Sequence, residues 1–199
     1  MEGEKKGPAG AGEATEAALP EGEIACRKRL EDMKVVFRPL PAIVEGDCGA
    51  PAPLQVSRLP GDVSVGEGTR LTCDATEALA RWARDSVAPQ AESLLQKKVT
   101  GLLIGVSYEC RGRNRDPKAK LSEHAFANGV DLSGFALEGK TTISVGKTAP
   151  ESAEEKFVAT VRKSACDAFT TVLGPGVEAH DDHLHLDMRR RSRGYRLCQ

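Results

Sequence analysis

Hydrophobic and polar positions divide the chain unevenly. Residues 1 to about 22 are Gly, Ala, Glu, Pro and Lys with almost no large apolar side chain. Such a segment cannot bury enough surface to offset the entropy of ordering it, and is expected to be disordered. The run IACRKRLEDMKVVFRPLP then predicts a short helix and an extended segment. Residues 39 to 70 are dense in Pro, Gly and Asp and read as a long loop with one brief strand. At DATEALARWARDSV the period becomes helical. Ala75, Ala78, Leu79, Trp82 and Ala83 fall on one face, and Asp74 with Glu77 has capping-box spacing. Trp82 reads as core. Pro89 is expected to end or kink this helix, with AESLLQKKV adding a turn or two beyond it.

VTGLLIGVSYEC, rich in β-branched and apolar residues, predicts a buried strand, and RGRNRDPKAK a polar loop. A hairpin should turn at Glu138-Gly139-Lys140. The clearest element is a long helix. Ser152 and Glu155 have capping-box spacing, Phe157, Val158, Val161, Ala165, Ala168, Phe169 and Val172 form its stripe, and Gly174 ends it. After VLGPG, the segment HDDHLHLD reads as a final strand. Helices interspersed with hairpins point to an α+β fold, a small antiparallel sheet flanked by helices in one domain over residues 23–199.

Composition adds constraints. With 40% hydrophobic but only 4% aromatic residues, the core should be largely aliphatic. A net charge of −1 argues against a nucleic-acid partner, which needs a basic surface. The cluster MRRRSRGYR is a local exception and reads as a solvated face. No apolar run is long enough to span a bilayer. Six cysteines, Cys26, Cys48, Cys73, Cys110, Cys166 and Cys198, are scattered with no C-x-x-C pair. They fit three disulfides in an oxidising compartment, the alternative being reduced thiols buried as small hydrophobes. Six cysteines allow fifteen pairings, and a Cys26–Cys48 bridge could staple the long loop. The chain is therefore expected to be periplasmic or secreted, with an export signal lying outside the given sequence, since residues 1–23 hold no apolar stretch.

Three of the four histidines lie in HDDHLHLD, residues 180 to 187. His183 and His185 differ by two, so on a strand they share a face. The fourth, His124, lies in SEHAFANGVD, with Asp131 seven residues on. Two imidazoles, one carboxylate and an open fourth position make a catalytic zinc set. His124 before a strand, Asp131 on it and a histidine from the last strand would meet if those strands pair. Asp181, Asp182 and Asp187 supply carboxylates for a base or an outer shell. On the residues alone three readings stand: a metal site, core or surface histidines, and metal-free acid–base chemistry.

The runs SYECR, LSEHAFANGVD, HDDHLHLD and YRLC, with the cysteine-bearing LTCDATEALARW and ACDAFTTVLGPG, resemble the extensin-like C-terminal domain family over residues 24–199. That family is similar, more distantly, to the zinc D-Ala-D-Ala carboxypeptidases and murein endopeptidases of the hedgehog/DD-peptidase fold. Their pattern Ser-x-His-x-x-Gly-x-Ala-x-Asp is met by Ser122, His124 and Asp131. Ala127 stands where Gly is usual and Gly129 where Ala is usual, and both swaps keep the residues small.

The resemblance implies His124, Asp131 and His185 as zinc ligands, His183 as the active-site histidine, and His180, Ser122 and Tyr108 as supporting residues. Asp182 occupies the place of a Glu in the related carboxypeptidases and is one methylene shorter. His183 is therefore the first choice of general base and Asp182 the second. Arg111 is expected to hold a substrate carboxylate or the developing oxyanion, or else to form a surface ion pair. The implied activity is zinc-dependent hydrolysis of amide bonds in peptidoglycan stem peptides or cross-links, by a metal-activated water in a monomeric protein. The alternative is a non-catalytic cell-wall-binding or structural module that retains the zinc.

Overall fold

A computed structural model describes residues 19–199. Residues 1–18, most of the segment expected to be disordered, lie outside the described residues. Residues 21 and 22 already belong to the first helix, α1 (Glu21–Asp32). Its buried Cys26 and Leu30 face inward. An extended strand follows as expected, β1 (Val36–Pro39).

Residues 39 to 70 are not a long loop. They form a short ribbon, β2 (Ile43–Glu45) with β3 (Cys48–Ala50), and then two strands of the main sheet, β4 (Leu54–Leu59) and β5 (Val63–Leu71). The alternation was present in LQVSRL and VSVGEGTRL. Leu54, Val56, Leu59, Val63, Val65 and Leu71 are buried, with polar residues between them. Pro60, Gly61 and Asp62 make the hairpin turn, with φ of +79° at Gly61 and +63° at Asp62. The Pro, Gly and Asp that suggested a loop are punctuation between strands.

Next comes α2 (Cys73–Trp82), two residues earlier than the capping-box reading allowed. Thr72 is the N-cap, its Oγ1 accepting from Ala75 N at 3.3 Å, and Asp74 lies inside the helix. The apolar face is as expected, with Ala75, Ala78, Leu79, Trp82 and Ala83 all buried. Pro89 does not stop the chain of turns. A π-helical turn over Ala83–Val87 leads directly into α3 (Ala88–Leu95), and Pro89 stands in its first turn, where an N–H is dispensable.

Strand β6 (Val99–Val106) pairs with β7 (Gly129–Leu137), which turns at Glu138–Lys140 into β8 (Thr141–Ser144), the hairpin expected from the sequence. Helix α4 (Ala153–Ala168) is N-capped by Ser152, whose Oγ accepts from Glu155 N at 3.1 Å. It is shorter than its apolar stripe suggested. Phe169 is already extended, and Val172 belongs to β9 (Thr171–Leu173). Strands β10 (Leu184–Asp187) and β11 (Leu197–Cys198) close the fold.

The main sheet is nine-stranded and mixed, not small and antiparallel. Its order is β1-β4-β5-β6-β7-β10-β9-β11, with β8 also paired to β7. The β5/β6 and β9/β11 pairs are parallel and the others antiparallel. One edge of β7 is divided. Residues 129–132 pair with β10, and residues 134–137 pair with β8. This division brings Asp131 opposite His185.

The core is a single cluster beneath α2, α3 and α4. Trp82 is in it as expected, 6.4 Å from Phe135 and 6.2 Å from Phe169 between ring centroids, with its Nε1–H donating to Val161 O at 3.1 Å. All six cysteines are bridged: Cys26–Cys73, Cys48–Cys110 and Cys166–Cys198. The Cys26–Cys48 staple is not formed. Cys26 instead ties α1 to the start of α2, and Cys48 ties the ribbon to the segment after β6. Disulfides of this number persist in oxidising surroundings, which is compatible with an extracellular location. Among the described residues, no helix is long and apolar enough to cross a membrane.

Candidate metal centre

Three elements carry the site. His124 lies in a 3₁₀ turn, Glu123–Phe126, capped by Ser122, whose Oγ accepts from His124 N at 3.5 Å. That turn ends at Ala127 with φ of +52°. A left-handed backbone favours glycine, so the constraint at Ala127 is conformation rather than size alone. Asp131 follows on β7, and His185 is its antiparallel partner on β10.

The three side chains converge. His124 Nε2 is 3.0 Å from Asp131 Oδ1 and 3.1 Å from His185 Nδ1, and His185 Nδ1 is 2.9 Å from the same Asp131 oxygen. His124 is fully buried, Asp131 9% exposed and His185 8% exposed.

The outward nitrogens fix the tautomers. His124 Nδ1 lies 3.1 Å from the Ser107 carbonyl, which can only accept, so Nδ1 carries the proton and Nε2 a lone pair. His185 Nε2 lies 3.0 Å from Asp187 Oδ2 and donates to it, which leaves Nδ1 with its lone pair inward. Asp187 is itself held by Arg189 N, which donates to its other oxygen at 2.9 Å. Two imidazole lone pairs and a carboxylate oxygen thus face one another in a buried space. That arrangement requires a positive charge among them, either a proton or a metal ion.

The electrostatics agree. Burial disfavours the charged form of His185, but its hydrogen bonds to Asp131 and Asp187, and their charges, outweigh this and raise its pKa to about 9. Burial likewise opposes ionisation of Asp131, yet with a proton in place of the metal at the inward nitrogens, the hydrogen bonds with His124 and His185 hold its carboxyl far below the usual carboxylate range. His124, Asp131 and His185 together could hold a metal ion.

Asp131 and His185 line a cleft of about 540 Å³, with His124 buried beside them. His183 precedes β10 rather than standing on it, yet it reaches the same side, with Nε2 3.7 Å from Asp131 Oδ1. Its Nδ1 is 2.8 Å from Asp182 Oδ1, and this hydrogen bond lowers the Asp182 pKa. Asp182 is otherwise open to solvent, 84% exposed in its side chain. His180 donates from Nδ1 to the Glu178 carbonyl at 2.6 Å, and burial lowers its pKa. Its ring lies 5.2 Å from that of His183 and 5.8 Å from that of His185. All four histidines therefore meet at one place.

Two residues assigned from the resemblance sit differently. Arg111 lines the cleft, but in the ion-pair alternative rather than with a spare fork. Its Nε donates to Glu109 at 2.7 Å, while its terminal nitrogens donate to Gly112 O and Asp131 Oδ2, both at 3.4 Å. Arg111 is committed to the protein. Tyr108 does not line the cleft. Its hydroxyl donates to Glu45 at 2.9 Å and its ring lies under Arg70, so it fastens the β2–β3 ribbon. Sequence reasoning did not find Ser107, whose contribution is a main-chain carbonyl without a side-chain signature, or Glu109, which holds Arg111. The partner of His185 had a signal: at i and i+2 on a strand, His185 and Asp187 share a face.

The fold and site define a disulfide-bridged α+β domain with a buried cluster of two histidines and an aspartate opening on a cleft. The chain belongs to the family described as Extensin-like protein C-terminus, which matches residues 24–199. No curated protein and no solved structure gives a significant match.

Proposed function

We propose that this protein is a zinc-dependent peptidase acting in the periplasm or outside the cell on peptidoglycan stem peptides or cross-links, through the hedgehog/DD-peptidase chemistry that the motifs resemble. One observation carries the proposal. His124 Nε2, Asp131 Oδ1 and His185 Nδ1 converge with lone pairs inward, while the outward nitrogens are occupied by Ser107 O and Asp187. Their separations of 2.9–3.1 Å are close to the ligand spacing of about 3.3 Å that follows from tetrahedral zinc bonds of about 2.0–2.1 Å. Three donors from the protein leave a fourth position, as in catalytic zinc sites. A zinc ion bound there supplies Lewis acidity to the reacting carbonyl.

The chain's own residues do the rest. His183 presents Nε2 toward the cluster and moves the proton between the attacking water and the leaving amine. Asp182 accepts from His183 Nδ1 and so sets its tautomer. The exposed Asp182 thereby serves as the orienting partner of the base rather than as its rival. Arg111 neutralises the second oxygen of Asp131 and leaves Oδ1 for the metal. The test is digestion of purified muropeptides by the zinc-loaded protein, read by mass spectrometry. Cleavage is expected, with a loss of about 10²–10⁴-fold in His183→Ala, the usual contribution of a general acid–base. No cleavage of any muropeptide would refute the peptidase reading.

A further inference from the structure

The cleft carries more positive charge than its chemistry uses. Arg111, Arg113, Arg115, Arg189 and Arg191 all line it. Three of them are spoken for within the protein. Arg111 is held by Glu109 and Asp131, Arg115 pairs with Glu109, and Arg191 donates to Thr170 O and Thr171 Oγ1. Arg113 and Arg189 form no ion pair and no side-chain hydrogen bond with any described residue.

These two also share a position. A second hollow adjoins the cleft, lined in part by Asp74, Lys120, Phe126 and Arg190. Among the described residues only Arg113, Glu123 and Arg189 line both. Glu123 is engaged by Asn128 Nδ2 at 2.7 Å, so the uncommitted groups at the junction are two guanidiniums. Their backbones are fixed. Arg113 N donates to Lys120 O at 3.1 Å, closing the loop beside the Gly112–Leu121 bridge. Arg189 N donates to Asp187, the residue that holds His185.

We propose that Arg113 and Arg189 form an oxyanion clamp at the junction of the two hollows, and that the substrate carries a carboxylate or phosphate beside the bond presented to His124, Asp131 and His185. Guanidinium forks match both oxyanions bidentately, and unpaired arginines at a cleft junction are free to do so. The clamp deepens the peptidase reading by assigning substrate recognition to these two residues, and it relieves Arg111 of that role.

The test is binding, read by NMR titration of the full chain with and without zinc. The probes are three amide-capped pentapeptides: Ala-Ala-Glu-Ala-Ala, its Gln counterpart, and its phosphoserine counterpart. The Glu or the phosphoserine peptide should bind more tightly than the Gln peptide, and the one that does identifies the oxyanion. Arg113→Gln and Arg189→Gln should each weaken that binding about tenfold, the scale of one charge-assisted pair. Arg190→Gln, which alters only the second hollow, should change it less than about twofold, and zinc content should be the same in all three variants. Equal affinity for acidic and neutral peptides, or equal loss in Arg190→Gln, would overturn the clamp. Failure to load zinc, with the clamp intact, would count against the peptidase alone.

Discussion

Each ligand histidine is set by what its other nitrogen touches. For His185 that partner is Asp187, buried and pinned by Arg189 N. Replacing the carboxylate by an amide keeps the shape but removes the charge that favours a basic, correctly oriented imidazole. Asp187→Asn should therefore stay folded and bind zinc about 10–100-fold more weakly, measured by competition with a chromophoric chelator. At this scale the sequence was informative. His124, Asp131 and a histidine of the last strand were legible from residue type and spacing, because a strand pairing needed only to bring two short motifs together, whereas the choice of His185 came from the family resemblance. The roles of Arg111 and Tyr108 were not legible, because their partners, Glu109 and Glu45, carry no motif and are defined only by the fold.

Among the elements, α1 and α2 are joined twice, by the Cys26–Cys73 bridge and by Glu77. The Glu77 carboxylate accepts from Arg29 at 2.9 and 2.7 Å and from Arg81 at 2.7 Å. The Arg29 hydrogen bond, with help from Arg81, lowers the Glu77 pKa below its ordinary 4.5 despite partial burial. A carboxyl with a depressed folded pKa adds stability above its unfolded pKa, and that stability is lost as pH falls through the folded value. Glu77→Gln should accordingly lower stability at pH 7 by at most about 1 kcal/mol after solvent screening. The gap to the parent protein should close in acid below the carboxylate range, as urea denaturation at the two pH values would show. The elements themselves were unevenly readable. α2, α4 and the β7–β8 hairpin were evident from period and turn residues. β4 and β5 were hidden because their turn residues dominate a short window, and β9 because Phe169 and Val172 continue the α4 stripe after the backbone has become extended.

For the molecule as a whole, the sheet is larger than the sequence suggested because residues 54–71 join it, and this extra sheet supports β6 and hence β7, the strand that carries Asp131. The α+β class survives that enlargement, because helices and hairpins still alternate along the chain. The arginine-rich C-terminal segment is largely exposed, as it read, yet two of its arginines are engaged. Arg191 donates to Thr170 O, and Arg196 to the Cys166 and Phe169 carbonyls, closing the end of α4 beside the Cys166–Cys198 bridge. Sheet, bridges and C-terminal arginines together hold the four histidines at one cleft, and the proposed chemistry requires a metal ion bound there. Zinc stoichiometry of the purified chain, measured by elemental analysis after exhaustive dialysis, tests this most directly. One zinc per chain is expected in the parent protein and in His183→Ala, with none retained by His124→Ala or His185→Ala that remain folded by circular dichroism. Stoichiometric zinc in His185→Ala, or none in the parent protein after reconstitution, would contradict it.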